Sequence, residues 1–306
     1  MRRPFPRLEL PRSTLIDSLP NQSKMIDAHF HCWQLSRGDY GWLNPALNPA
    51  LQTICRNVSV LDWQVQSRPL GVRGGVLVQA APTEAETLFL LEQADSNPAV
   101  LGVVGWVDLL APQAPARIRA LAQHPMLKGL RPMLHDLPDP AWILQPALRG
   151  ALEAMTAENL VFDALVKPPH LPPVLTLAQR HPGLQIVIDH VAKPGIAASQ
   201  WQPWADSLTA IARQTNVFCK LSGLLTEAVP NTQTGVAHEA IAPYAEHALA
   251  VFGADRLIWG SDWPVLELSG LAYAHWLQMS QKLLQNLPPA ARAAVLGGNA
   301  QRVYRL

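Results

Sequence analysis

Eight short apolar runs, most closing on a polar residue, constrain this chain more than any other feature. They are MIDAH (25–29), GGVLVQ (74–79), VLGVVGW (100–106), KGLRPM (128–133), LVFDALV (160–166), LQIVID (184–189), VFCKLSG (217–223) and RLIWGSD (256–262). Most are apolar throughout rather than alternating, the pattern of parallel strands buried on both faces. Their centres lie mostly ~25–40 residues apart, room for a strand, a crossover helix and two loops. The first gap is longer, about 50 residues, so an insertion is expected in the first loop.

Helical patterns fill the gaps. Residues 83–97 carry apolar positions at helical spacing, and Thr83 with Glu86 predicts a capping box. Residues 171–183 stop at Pro-Gly, and 238–253 ends in glycine. No stretch has the composition of a domain linker, and no repeat exceeds the strand–helix rhythm. A single-domain TIM-type (β/α)8 barrel accounts for all of 25–306. A doubly wound sheet would alternate similarly, but it usually has five or six strands. A nucleotide-binding one would also carry a glycine-rich turn after strand 1, where this chain has His-Phe-His. Residues 1–24 hold four Pro and four Arg without usable periodicity, which predicts a flexible N-terminal arm. Met25 opens the first strand and is an alternative start.

Charge excludes several function classes. The 306 residues include 24 Lys+Arg against 23 Asp+Glu, a net charge of +1, so no basic footprint points to nucleic acid. Charged residues make up 15%, below the usual ~25%, and hydrophobic ones 49%, which allows a large core and rules out global disorder. Cys32, Cys55 and Cys219 are far apart with no CxxC, so neither a disulfide framework nor a zinc knuckle is expected. No apolar run reaches the ~18 residues of a membrane span, and the start lacks the apolar stretch of a signal peptide. A cytoplasmic protein that meets no membrane is the expectation.

In a barrel of this type the chemistry sits at the C-terminal ends of the strands. Those ends offer His29 and His31, Gln79, Trp106 and Asp108, Arg131, Asp163, His190, Ser222 and Asp262. A core needs apolar strands, but it does not need a polar residue at the end of nearly every one. His29 and His31 are two apart in an extended segment, so both imidazoles face one side. With His190 and Asp262 they can make a single four-ligand zinc site, or a metal-free acid–base site. Ser222 lacks the GxSxG elbow of a serine nucleophile, and the cysteines lie in no motif.

The segments IDAHFHCW, GDYGWL, KGLRPM, FDALVKPPHL, HPGLQIVIDHVAKP, CKLSGL, IWGSDWPV and GGNAQRVYRL resemble the amidohydrolase superfamily. Within it they resemble the lactonase branch of L-fuconolactonase-, L-rhamnonolactonase- and 2-pyrone-4,6-dicarboxylate lactonase-like enzymes. The resemblance covers Met25 to Leu306. It implies a distorted (β/α)8 barrel that hydrolyses a cyclic ester, commonly a sugar-acid lactone. It implies Asp262 as the base that activates water, and His29, His31 and His190 as metal ligands or as contacts to substrate and oxyanion. One divalent metal, zinc, is the implied cofactor, and some members of the branch work without it. The two-metal members of the superfamily use a carboxylated lysine after strand 4 and a histidine after strand 5. Here those places hold Arg131 and Asp163, with His170 seven residues further on, so a two-metal site is not expected.

Lactone hydrolysis needs a base for water, donors for the oxyanion and a proton for the leaving oxygen. Asp262 is the candidate base and His190 a second catalytic group. Arg131 is a fixed cation suited to a carbonyl or hydroxyl contact. A dicarboxylate would call for several arginines, yet the strand ends offer only Arg131. Trp33, Tyr40, Trp42, Trp106 and Trp263 fall on or near the expected catalytic face, and their apolar faces with polar tips suit a sugar. Arg131, Trp33, Tyr40, Trp106, Asp163 and Trp263 are therefore the expected substrate contacts. The rival enzyme reading is a metal-dependent decarboxylase of the same superfamily. The rival without catalysis is a silent barrel that binds a sugar acid.

Overall fold

The computed structural model describes residues 25–228, 236 and 238–306; the segment 1–24, expected as an arm, lies outside them. Eight parallel strands form one sheet in sequential order: β1 (Met25–Phe30), β2 (Val72–Val78), β3 (Val100–Gly105), β4 (Leu127–Leu130), β5 (Val161–Ala164), β6 (Ile186–Ile188), β7 (Val217–Leu221) and β8 (Leu257–Trp259). Every apolar run is a strand. Helices α1 (Val60–Ser67), α2 (Glu84–Ser96), α3 (Ala114–Leu121), α4 (Arg149–Ala157), α5 (Leu171–Arg180), α6 (Trp204–Ile211), α7 (His238–Phe252) and α8 (Tyr273–Leu283) follow the strands in turn. The short α9 (Pro289–Ala293) and α10 (Asn299–Val303) end the chain.

Two apolar layers result. Residues of one pleat parity, among them Val76, Val104, Val161, Val187 and Ile258, fill the barrel interior together with Val303 at the end of α10 and Tyr304 after it. The other parity packs outward under the helices, where Leu77, Val103, Phe162 and Ile188 join the larger cluster.

The ladder runs from β1 to β8 without closing on itself. Closure falls instead to the residues just past the strands. Phe30 bridges Trp263, His31 N–H donates to Trp263 O at 2.8 Å, and Asp262 N–H donates to His29 O at 2.8 Å. Beside this seam Asp27 is fully buried. Its carboxylate accepts from Ser261 N (2.8 Å), Ser261 Oγ (2.6 Å), Trp63 Nε1 (2.9 Å), Tyr273 OH (2.9 Å) and His29 N (3.2 Å).

The first loop carries the expected insertion, tied down by the antiparallel bridge between Trp33 and Val58. Helix α2 departs from its predicted capping box. Thr83 Oγ1 accepts from Glu86 N at 3.1 Å, but the Glu86 carboxylate turns away and accepts from Ala80 N and Ala81 N. Those two amides end β2 with no strand partner, and a buried carboxylate satisfies them better than it would a single exposed cap.

Candidate active site

His29 and His31 project from the end of β1 to one side, as the two-residue period requires. Their rings meet edge to face at 4.9 Å, while Phe30 between them turns outward and stacks on Trp63 at 4.0 Å. His190 follows β6 in an unusual turn. His190, Val191, Ala192 and Lys193 all have φ between 47° and 59°, a run of left-handed residues. Each such L-residue costs roughly 1–2 kcal/mol, and the run persists because packing fixes it. Val191 and Ala192 are buried, and Trp204 Nε1 donates to Val191 O at 2.8 Å. Gly223 packs flat on the His190 ring, where a Cβ would lie 2.5 Å from Cγ and Nδ1. Asp262 is also left-handed, at φ 60°. Gly260 lets this turn pass His29, since a Cβ there would meet His29 Cβ at 2.8 Å.

The result is a carboxylate facing three imidazoles. Oδ1 of Asp262 lies 3.3 Å from His31 Nε2, 3.7 Å from His29 Nε2 and 3.9 Å from His190 Nε2. His31 Nδ1 is held by the Val78 carbonyl at 2.8 Å, and His190 Nδ1 by Ser222 Oγ at 2.9 Å. All three rings therefore turn Nε2 toward the carboxylate. Burial raises the Asp262 carboxyl, but His190 and His31 outweigh it and hold the group below the ordinary aspartate value. Burial holds His29 well below the ordinary imidazole value, and the Lys220 charge adds to this. Burial does the same to His190 against the opposing charge of Asp262. At neutral pH Asp262 is ionised and these two rings are neutral.

A second charged layer lies beneath. Lys220 of β7 is fully buried, with Nζ 2.5 Å from Asp163 Oδ2, 2.9 Å from Asp189 Oδ1 and 3.0 Å from His29 Nδ1. Tyr304 OH donates to Asp163 at 2.9 Å. Arg131 NH1 sits 3.3 Å from both Asp189 Oδ2 and His29 Nε2, and its NH2 donates to the Gln79 carbonyl. Burial pushes Asp163 up to about 6 although Lys220 pulls it down. Asp189 stays well below the ordinary value, because Lys220 and His29 overcome the effect of burial.

His31, Arg131, His190 and Asp262 line a cavity of about 190 Å³. Trp42, Met133, His135, Asp136 and Lys193 are among the other residues of its wall, and His29 lies under the floor, fully buried. Trp106 lines an adjoining cavity instead. The other expected contacts do not reach either cavity. Trp33 is buried and donates to Arg56 O at 2.7 Å, Trp263 is buried and donates to Glu267 at 2.8 Å, and Tyr40 is buried. Asp163 points into the barrel toward Lys220. Proximity in sequence to a strand end does not decide which side of a loop faces the cavity. His170 caps its own turn, with Nδ1 3.2 Å from Lys167 N.

The donor set fits a single divalent ion. Among the described residues His29, His190 and Asp262 each offer one ligand atom, all within 4.8 Å of one another. Two imidazoles and a carboxylate are a normal zinc set. His31 lies outside that grouping.

A family model described as amidohydrolase matches residues 26–306. The chain belongs to the amidohydrolase family. It is 44% identical to an L-fucono-1,5-lactonase of Burkholderia ambifaria over 92% of this chain and 95% of the relative. An L-fucono-1,5-lactonase of Burkholderia multivorans is 32% identical over 92% of this chain and 96% of that one. A crystal structure of a Burkholderia multivorans amidohydrolase with zinc bound superposes with a TM-score of 0.85 at 31% identity, covering 92% of this chain and 99% of that chain. As in those full-length matches, the family resemblance spans the whole barrel.

Proposed function

We propose that this amidohydrolase opens the ring of a sugar-acid lactone, with L-fucono-1,5-lactone as the first candidate substrate. The observation that carries the reading is the ionised Asp262 carboxylate set among three imidazole Nε2 atoms on a small cavity, in a chain 44% identical to an L-fuconolactonase.

Asp262 takes a proton from water as the oxygen attacks the lactone carbonyl. The oxyanion is met by the Arg131 guanidinium and by His31 on the cavity wall. As the carbon–oxygen ring bond breaks, the proton held by Asp262 passes to the departing ring oxygen, leaving an open-chain aldonic acid that ionises to the aldonate by releasing its remaining acidic proton to solvent. His190, kept neutral and anchored on Ser222, orients the attacking water. A divalent ion held by His29, His190 and Asp262 would supply Lewis-acid polarisation of the carbonyl and would acidify water. Zinc is the proposed ion. Trp42, fixed by Nε1 donating to Ala80 O at 2.7 Å, offers the cavity its aromatic edge.

A decarboxylase is less well supported. That chemistry called for a histidine after β5, and the place is taken by Asp163, which Lys220 and Tyr304 already engage.

The test is a pH-indicator hydrolysis assay on a panel of aldonolactones and one pyrone dicarboxylate, with and without chelator, on parent and Asp262→Asn. Turnover of a sugar lactone with a loss of about 10³-fold or more in Asp262→Asn is expected. A residual rate in fully demetallated protein would assign the metal an auxiliary role. No turnover of any lactone, with CO2 released from an aromatic acid, would overturn the proposal.

A further inference from the structure

The catalytic cavity is small. Its volume of about 190 Å³ lies below the roughly 300–1,000 Å³ of ordinary ligand pockets. A second cavity of about 420 Å³ adjoins it on the same face and shares Trp42, Met133 and Asp136 with its wall. Its lining is unlike that of the first. Trp42, Trp106 and Trp142 present three half-buried indoles, and Asp39, Asp108 and Asp136 present three carboxylates. Among the described residues no lysine or arginine lines it.

Each feature narrows the occupant. Asp39 is paired with Arg37 at 2.7 Å and Asp136 lies 3.2 Å from His135 Nε2, but no lysine or arginine among the described residues faces this cavity to meet an anion, which favours a neutral occupant over a phosphate or the carboxylate end of the product. Indole faces take a ring with C–H faces, and carboxylate oxygens accept from hydroxyls. Trp42 Nε1 is occupied by Ala80 O. Among the described residues the Nε1 donors of Trp106 and Trp142 have no hydrogen-bond partner, so two N–H groups remain for a ligand's oxygens. Asp108 Oδ1 accepts from Leu110 N at 3.1 Å, and its second oxygen is likewise unclaimed.

Resting on the lactonase reading above, we infer that this adjoining cavity is a subsite for a second, neutral sugar ring. The substrate class is then an aldobionolactone: a lactone ring in the Asp262 cavity, bearing a glycosyl unit that lies against Trp106 and Trp142. The hydrolytic step is unchanged, and the glycosidic bond stays intact.

The test compares three neutral substrates: a monosaccharide aldonolactone, aldobionolactones of differing linkage, and a benzyl ether of the monosaccharide lactone. Stacking on one indole predicts a KM lower by about tenfold for at least one aldobionolactone. Trp142→Ala, which lies off the catalytic cavity, should remove that gain and leave the monosaccharide lactone within about twofold. A gain from the benzyl ether equal to that from the sugar would overturn the assignment, since the cavity would then be an apolar shelf. So would monosaccharide turnover without a gain from any aldobionolactone. If no lactone is hydrolysed, the lactonase reading itself fails. The subsite is then judged by tryptophan-fluorescence titration with a disaccharide alditol: saturable quenching lost in Trp142→Ala supports it, and no quenching overturns it.

Discussion

Lys220 is the residue on which the buried polar layer turns. One ammonium is shared by Asp163, Asp189 and His29, all fully buried. Ammonium and guanidinium only donate, and both approach this ring: Lys220 Nζ lies 3.0 Å from His29 Nδ1 and Arg131 NH1 3.3 Å from Nε2, so the two cations compete for its single lone pair. A metal ligand at Nε2 needs the tautomer with Nδ1–H given to Asp189, whose Oδ1 is 3.5 Å away. The same lysine thus bears on stability and on the state of His29. Replacing it with Met leaves two carboxylates around one missing charge. Breaking a buried ion pair from one side costs about 3–5 kcal/mol, so Lys220→Met should unfold in urea with that loss. The pair Lys220→Met with Asp163→Leu should recover part of it, because removing both partners costs less than removing one. A single variant within about 1 kcal/mol of the parent would show that the ion pairs carry no such weight.

At the scale of elements, the turn after β6 shows what the sequence made legible and what it hid. The runs themselves were readable, because strands buried on both faces leave an apolar signature. Four residues that the sequence places at strand ends, His31, Arg131, His190 and Asp262, share one cavity wall. The left-handed path from His190 to Lys193 was not readable. It is set by Gly223 and Trp204 from other elements, and Val191 has no local preference for it. Lys220 was hidden inside an apolar run for a similar reason: pairing across strands is invisible to a single-strand pattern. Trp33 and Trp263 looked like sugar contacts, whereas Trp42 and Lys193 form the wall, since loop facing depends on closure with neighbours. The glycine at 223 gives this a test. In Gly223→Ala the new Cβ would overlap the His190 ring and must displace it. A shift of about 1 Å in a catalytic group costs on the order of 10²-fold in rate. Lactone kcat should fall by that factor, and the urea midpoint should drop as well, because Gly223 sits at φ 64° where alanine is strained; an unchanged kcat would mean that His190 needs no fixed position.

For the molecule as a whole, the seam between β1 and β8 joins fold to chemistry. Each other neighbouring strand pair has a ladder, but this one is closed by two backbone bonds beyond the strands and by the side chain of Asp27. The same seam carries His29, His31 and Asp262, so barrel closure and site assembly are one event. Among the described residues Asp27 has no cation beside it. Five N–H and O–H donors hold it instead, and burial still raises its carboxyl above the ordinary aspartate value. Asp27→Asn keeps the size but replaces an acceptor with an NH2 facing donors. Each buried donor left unpaired costs about 1–3 kcal/mol, and the loss falls at the seam rather than across the barrel. Hydrogen exchange should therefore accelerate most in peptides covering 25–31 and 257–264, and far less in 161–188 on the opposite wall. Lactone kcat should fall with it, because the backbone bonds from Asp262 N to His29 O and from His31 N to Trp263 O set the spacing of the imidazoles from the carboxylate. Uniform acceleration over the whole barrel would mean that Asp27 supports global stability only. Faster exchange at the seam with unchanged kcat would mean that the site holds its geometry without the closure.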